Sequence, residues 1–349
     1  MSPMTASLTL DTEIVPLNSG LEQSKNILLG SSDLTRNTTK TFNELEILDL
    51  TLGWLCVGNY PMAYSGLKAL INKPAFGWAC GAYVAWTGDD YILNELDLQI
   101  KKWRHELEQD TSFSTIYKNL GSRALIAAYH SRRDANSAQR FEQHIGREEF
   151  SYDNCKIQRL DAQVSILPET PEQLATILGF RYQRENDLNP DQLFGFCRRL
   201  NRRLVDSVKL KRKGSTDHLF LASLLTTCFL YGLAGIVPDI PSGRVTLSPN
   251  IPDDLSYFKI ENLPLGQDTM DFSYKKKESE CAFVFEQKRG RVPLNLVFQP
   301  ILSGNKIGQV YIDEELADLE WHTHLETSRV STQVQLYLEK QRQVTIIST

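Results

Sequence analysis

The chain has 349 residues, 41% hydrophobic and 23% charged, which are ordinary globular proportions with room for about two domains. A formal net charge of −5 excludes a chain-wide electrostatic footprint for nucleic acid. No apolar run approaches the roughly 18 residues that a membrane-spanning helix needs.

Residues 1–42 are rich in Ser, Thr and Asn and lack a basic start followed by an apolar core. They read as a disordered or loosely ordered segment and not as a secretory leader. None of the 14 prolines lies between Ala75 and Leu167, whereas five lie between Pro238 and Pro264. Proline is costly inside a helix, so the first stretch permits helices and the second forbids them. Leu45, Leu48, Leu52 and Leu55 recur at helical spacing, and Asn59-Tyr60-Pro61 breaks that helix and starts the next. Met62, Gly66, Leu67, Leu70 and Ile71 continue the pattern to a break at Asn72-Lys73-Pro74. Further helices are expected over 75–86, from Asp89 or Asp90 to about Glu106, and over 113–131, 134–146, 171–182, 190–207 and 217–234. Short links between them imply stacked antiparallel hairpins.

Beyond Gly235 the period changes from helical to alternating. Arg244-Val245-Thr246-Leu247-Ser248, Phe258-Lys259-Ile260, Thr269-Met270-Asp271-Phe272 and Lys306-Ile307-Gly308-Gln309-Val310 alternate polar with apolar. Residues 333–338 and 344–346 close the series. This is the pattern of an antiparallel β-sandwich. The fold class expected is therefore α+β and multidomain: a helical-hairpin domain over 43–237 followed by a β-sandwich over 238–349. Within them, Trp86 is expected to pack under the Thr87-Gly88-Asp89 turn and not to line a cleft.

The six cysteines, Cys56, Cys80, Cys155, Cys197, Cys228 and Cys281, form no C-x-x-C pair, so reduced, buried thiols and a cytoplasmic location are expected. There is no P-loop, no G-x-G-x-x-G, no G-x-S-x-G and no H-E-x-x-H. His322 and His324 share one face of a strand without a third ligand, so neither metal nor cofactor is expected. Arg198, Arg199, Arg202 and Arg203 read as a solvated helix face whose cations meet the helix C-terminus.

Residues 231–239 (Tyr-Gly-Leu-Ala-Gly-Ile-Val-Pro-Asp), 242–249 (Ser-Gly-Arg-Val-Thr-Leu-Ser-Pro), Ile251-Pro252-Asp253 and 258–263 carry a resemblance. They resemble the C-terminal portion of the six-hairpin (α/α)6-barrel glycosidases of the glycogen-debranching and trehalase-like kind, where the last barrel helix passes through a Gly-Ile-x-Pro-Asp turn into a β-sandwich. The stretch 83–90 (Tyr-Val-Ala-Trp-Thr-Gly-Asp-Asp) is similar to a helix–turn–helix of the same barrels. Gly235 suits a left-handed helix end, Pro238 prevents the helix from resuming, and Asp239 can bond backbone amides in the turn.

The resemblance implies a carbohydrate-active protein, a glycoside hydrolase acting on α-glucosidic or related oligosaccharides with two carboxylates about the scissile bond. The loop before the last helix, 206–218, holds no Glu. The candidate acids are therefore Glu185 and Asp187 for one role and Asp217 for the other, each just before a late helix. Trp54, Trp78 and Tyr83 are the candidate sugar platforms, because sugar rings have apolar faces that pack on aromatic ones. A full torus of six hairpins needs more helices than these windows supply. The chain then reads as a shortened member, or as one whose helical domain a second copy or a partner chain completes. The alternative is a non-catalytic relative that binds glycan or serves as a structural subunit. An oligosaccharide or polysaccharide is the expected partner, with no membrane and no nucleic acid.

Overall fold

Three helices are apolar on every side, and a helix with no polar face belongs inside. They are α2 (Glu44–Cys56), α4 (Phe76–Thr87) and α11 (Asp217–Thr227), the last continuing as a π-helix over Cys228–Leu233. The computed structural model describes residues 7–33, 42–109, 114–142, 167–178, 190–209, 217–303, 307–324 and 329–348. Around the inner helices stand α1 (Val15–Leu29), α3 (Tyr60–Ala69), α5 (Ile92–Glu95), α6 (Asp97–Gln109), α7 (Thr115–Ser131), α8 (Ala135–Glu142), α9 (Pro171–Ile177) and α10 (Pro190–Lys209). α2 packs on α11 and α3, α4 on α7, and α7 on α8. The helix expected from Asp89 to Glu106 is divided at Leu96 into α5 and α6.

The loosely ordered start expected for 1–42 does not hold for residues 7–33. β1 (Thr9–Thr12) pairs with β4 (Tyr257–Leu265), and α1 buries Leu17, Leu21 and Leu28 completely. The polar composition hid an amphipathic helix: its Ser, Asn and Gln residues space three leucines at helical intervals. Ser31 then locks the segment down by accepting the indole N–H of Trp54 at 2.9 Å.

The helical chain ends at Gly235, with φ +65. A Cβ there would stand 2.0 Å from the Ser248 carbonyl oxygen, so only glycine fits. β2 (Ile236–Asp239) and β3 (Arg244–Leu247) form a hairpin on the edge of a four-stranded sheet ordered β13-β7-β3-β2, with β7 (Asn295–Phe298) and β13 (Val334–Tyr337). Pro238 is tolerated because β2 is an edge strand. Asp239 does not bond turn amides as expected. Its carboxylate accepts from Ser131 Oγ at 3.1 Å and from Arg244 at 2.8 Å, side chains brought to it by α7 and β3.

Opposite lies an antiparallel seven-stranded sheet, β1-β4-β5-β6-β14-β9-β10. It adds β5 (Asp268–Lys277), β6 (Glu280–Arg289), β9 (Ile307–Ile312), β10 (Glu315–Ala317) and β14 (Arg342–Ser348). Phe298 of the smaller sheet meets Phe283 and Phe285 of the larger at ring centroids of 4.8 and 4.9 Å, forming the core between them. β8 (Ile301–Ser303), β11 (His322–His324) and β12 (Arg329–Ser331) make a third, small sheet. The expectation of a purely antiparallel sandwich fails at one pairing, β3 with β7, which is parallel. The helical and β parts meet through Phe229 of the π-helix, 6.0 Å from Phe258.

Among the described residues, Cys56, Cys80, Cys197, Cys228 and Cys281 are free and buried, and no helix is long and apolar enough to cross a membrane.

Candidate functional site

α4 and α7 run side by side in the same direction. A Cβ on Gly81 would lie 2.3 Å from the Ala124 Cβ, and one on Gly121 would lie 3.1 Å from the Trp78 nitrogen, so residues 43 apart stay abreast along both helices. Their first turns therefore share one end of the helical part.

The starts of α2 and α9 are tied to that same end. The Ala75 amide, just before α4, donates to Glu44 Oε1 of α2 at 2.6 Å. Ser114, the N-cap of α7, donates its hydroxyl to Glu172 Oε1 of α9 at 2.7 Å and accepts from the Ile116 amide at 3.3 Å. Thr170 caps α9 through the Gln173 amide. The local logic is ordinary capping: helix starts carry spare N–H groups and the positive end of the dipole, so acids and hydroxyls collect there.

The result is a pair of carboxylates, Glu44 and Glu172, at the end of the helical part where the buried Tyr117 lies in the first turn of α7. Burial is the chief cause that pushes the Tyr117 hydroxyl well above its ordinary range, and the charges of Glu44 and then Glu172 add to it, which places both acids within electrostatic reach. Glu44 is half-buried, and its pKa is raised. Desolvation is the largest cause, opposed by the Ala75 N–H and by the charge of Lys73. A carboxyl held protonated to higher pH can donate a proton, and a second carboxylate nearby supplies the partner for acid–base chemistry.

Of the residues singled out in the sequence, Glu185 and Asp187 lie outside the described residues. Asp217 is the first residue of α11, and its side chain is likewise outside them. Trp54 is 5% exposed with its indole N–H bound to Ser31, so it is a core residue joining α1 to α2 and no sugar platform. Tyr83 is buried beside Tyr64, and Trp78 is buried where α4 meets α7, bordering the cleft between these helices and the β2–β3 hairpin. The structure does not bring Trp54, Trp78 and Tyr83 together on one open surface. Trp86 is 1% exposed and donates its indole N–H to the Tyr231 hydroxyl, and it borders the cleft between α4, α7 and the β2–β3 hairpin that its expected place under the turn would have kept it from.

Sequence reasoning missed Glu44 and Glu172. Their signal was present as acids in the first turns of α2 and α9, but a first-turn acid reads as a cap until the fold shows which helix starts converge.

One other carboxylate is strongly perturbed. Asp49 of α2 is fully buried against α11, accepting from Thr227 Oγ1 at 2.8 Å while its Oδ2 has no partner. Burial pushes its pKa up to about 7, with the Ser223 and Thr227 hydroxyls pulling the other way. No solvent reaches it, so it serves the core and not a substrate.

No protein-family model matches the chain, and no curated protein matches it in sequence. Solved structures do. An α-L-rhamnosidase from Dictyoglumus thermophilum superposes with a TM-score of 0.53 at 12% identity, covering 98% of this chain and 50% of that one. An α-L-rhamnosidase from Aspergillus terreus is also similar, with a TM-score of 0.46 at 12% identity, covering 97% of this chain and 51% of that one. The chain thus spans about half the length of these structures. The first likeness shows the fold alone: a frame of helices followed by a β domain.

Proposed function

We propose that this chain is a carbohydrate-active protein of the six-hairpin type, and that Glu44 and Glu172 form its acid pair. In this reading the helical domain spans 43–237 and the β-sandwich spans 238–349. Glu44, protonated, gives its proton to the glycosidic oxygen as the C–O bond breaks. Glu172, oriented by Ser114, acts on the other face of the sugar, and water supplies the hydroxyl of the released sugar. The observation that carries the reading is that the Ala75 amide and the Ser114 hydroxyl, at the adjoining starts of α4 and α7, hold Glu44 and Glu172 at one end of the helical part. The fold is similar to that of an α-L-rhamnosidase, so an α-L-rhamnoside is the first substrate to try, ahead of the α-glucosides that the sequence suggests.

The test is hydrolysis of 4-nitrophenyl α-L-rhamnopyranoside and 4-nitrophenyl α-D-glucopyranoside by the full chain. Wild type cleaves at least one, and Glu44→Gln and Glu172→Gln each lose about 10²–10⁴ in turnover, the usual worth of a positioned acid or base. Full activity in either variant removes that residue from the mechanism. The second reading is a non-catalytic glycan binder, favoured by the way both acids are already engaged by cap donors. Glycan binding without cleavage by wild type would establish it, and neither binding nor cleavage would overturn both.

A further inference from the structure

The flank of α4 and α7 that runs toward their C-terminal ends carries a different opening. Between these helices and the β2–β3 hairpin lies a cleft of about 310 Å³, floored by Ala82, Ala85, Ala124 and Ala127 and walled by Val237 and Pro241. That volume lies at the lower end of the range of small-molecule sites. Val237 is 45% exposed, an apolar side chain left in solvent beside an apolar floor. Arg123 of α7 and Arg244 of β3 stand at the mouth, and a neighbouring hollow of about 360 Å³ shares both of them and adds His130, Ser131 and Ser242.

The carboxylate here is already committed. Asp239 Oδ1 accepts from Ser131, and Oδ2 accepts from one nitrogen of Arg244 at 2.8 Å, while Ser131 and Ser242 hydroxyls meet at 3.0 Å. Asp239 thus holds Arg244 in place using one of the five N–H groups of a guanidinium. Among the described residues that line the cleft, two guanidiniums and one carboxylate stand beside the apolar side chains.

We propose that this cleft binds a small amphipathic carboxylate, its apolar body lying on the alanine floor and its anionic head between Arg123 and Arg244. Arginine is suited to the head because its planar fork meets both oxygens of a carboxylate. The site is separate from the Glu44–Glu172 pair and does not depend on the reading given to that pair.

The test is isothermal titration of the full chain with 3-phenylpropionate, its neutral amide 3-phenylpropionamide, and galacturonate. The acid binds. The amide, and the acid with Arg123→Gln or Arg244→Gln, bind about tenfold more weakly or worse, the scale of a charge-assisted contact. Ala127→Trp, a change at an exposed position on the floor, abolishes binding while thermal unfolding stays cooperative. Glu44→Gln leaves the affinity unchanged. Equal affinity for acid and amide, no binding of the acid, or indifference to both arginine changes overturns the proposal. Tighter binding of galacturonate than of the phenyl acid overturns the apolar half of it.

Discussion

α4 and α7 carry opposite chemistry at their two ends. At their starts, acids gather: Glu44 takes the Ala75 amide and Glu172 takes the Ser114 hydroxyl. Along the flank toward their far ends, guanidiniums gather: Arg123 and Arg244 frame a cleft, and Arg132 lies 3.8 Å from Asp90 beyond the last turn of α7. Spare N–H groups and the positive dipole end favour carboxylates at the helix starts. The dipole does not explain the other end: Arg123 lies in the middle of α7 and Arg244 on β3, so packing of the β2–β3 hairpin against the helices brings these two cations together.

Glu44→Gln is the largest break in that comparison. Besides the loss of turnover stated above, the pH profile separates an acid from a cap. A general acid works only while protonated, and the Glu44 pKa is raised by burial. Activity should therefore fall with rising pH at a point above that of an ordinary glutamate, and this limb should vanish in Glu44→Gln. A limb that stays put assigns the proton to another group.

Asp49 sits in the helical core, in neither the acid pair nor the cleft. Its pKa is about 7 when folded against an ordinary 3.8. The folded state thus holds a proton that the unfolded state has lost, and stability falls as pH rises from about 4 to about 7. The fall should amount to a few kcal/mol, since a tenfold change in a proton's binding equilibrium is worth about 1.4 kcal/mol. Asp49→Asn cannot titrate, so urea unfolding of the variant should show this slope flattened. An unchanged slope would mean that Asp49 does not titrate there.

Gly81→Ala tests the close approach on which the parallel arrangement rests. The added Cβ would meet the Ala124 Cβ at 2.3 Å and its carbonyl carbon at 2.5 Å, and backbone cannot move as a side chain can. Overpacking of this kind costs about 1–3 kcal/mol. The melting temperature should fall, and both the rim activity and the cleft affinity should weaken together. A stabilised variant would mean that the helices are not in that contact.

How far this could be read from the sequence depended on the kind of signal. The Gly235 turn was legible because a left-handed glycine followed by Pro238 has few alternatives, and the structure gives φ +65 there. The apolar periods of α2, α4 and α7 were legible for the same reason that they are buried. α1 was not, because its leucines are diluted by Ser, Asn and Gln and its stability comes from docking on α10 and α11. The parallel β3–β7 pairing was hidden too, since alternation fixes which face a residue takes and not which strand lies beside it. The Glu44–Glu172 pair lies 128 positions apart in sequence. Only the ties at Ala75 and Ser114 bring the two acids to one end of the helical part.

The smallest effect separates the two ends of α7 alone. Ser114 caps the helix through the Ile116 amide and also orients Glu172, so Ser114→Ala removes a cap and a carboxylate donor together. Loss of such a cap costs about 1 kcal/mol, read as a lower urea midpoint at unchanged slope. Ser131→Ala, at the other end of the same helix, gives up contacts to Asp239 and Ser242 at a half-exposed position and should stay within about 0.5 kcal/mol. Turnover sharpens the contrast. Ser114→Ala should lower kcat because Glu172 loses its orientation, Ser114→Thr should restore it because the hydroxyl returns, and Ser131→Ala should leave kcat alone. If Ser114→Ala costs stability but kcat is untouched, Ser114 is a cap only and Glu172 does not act on substrate.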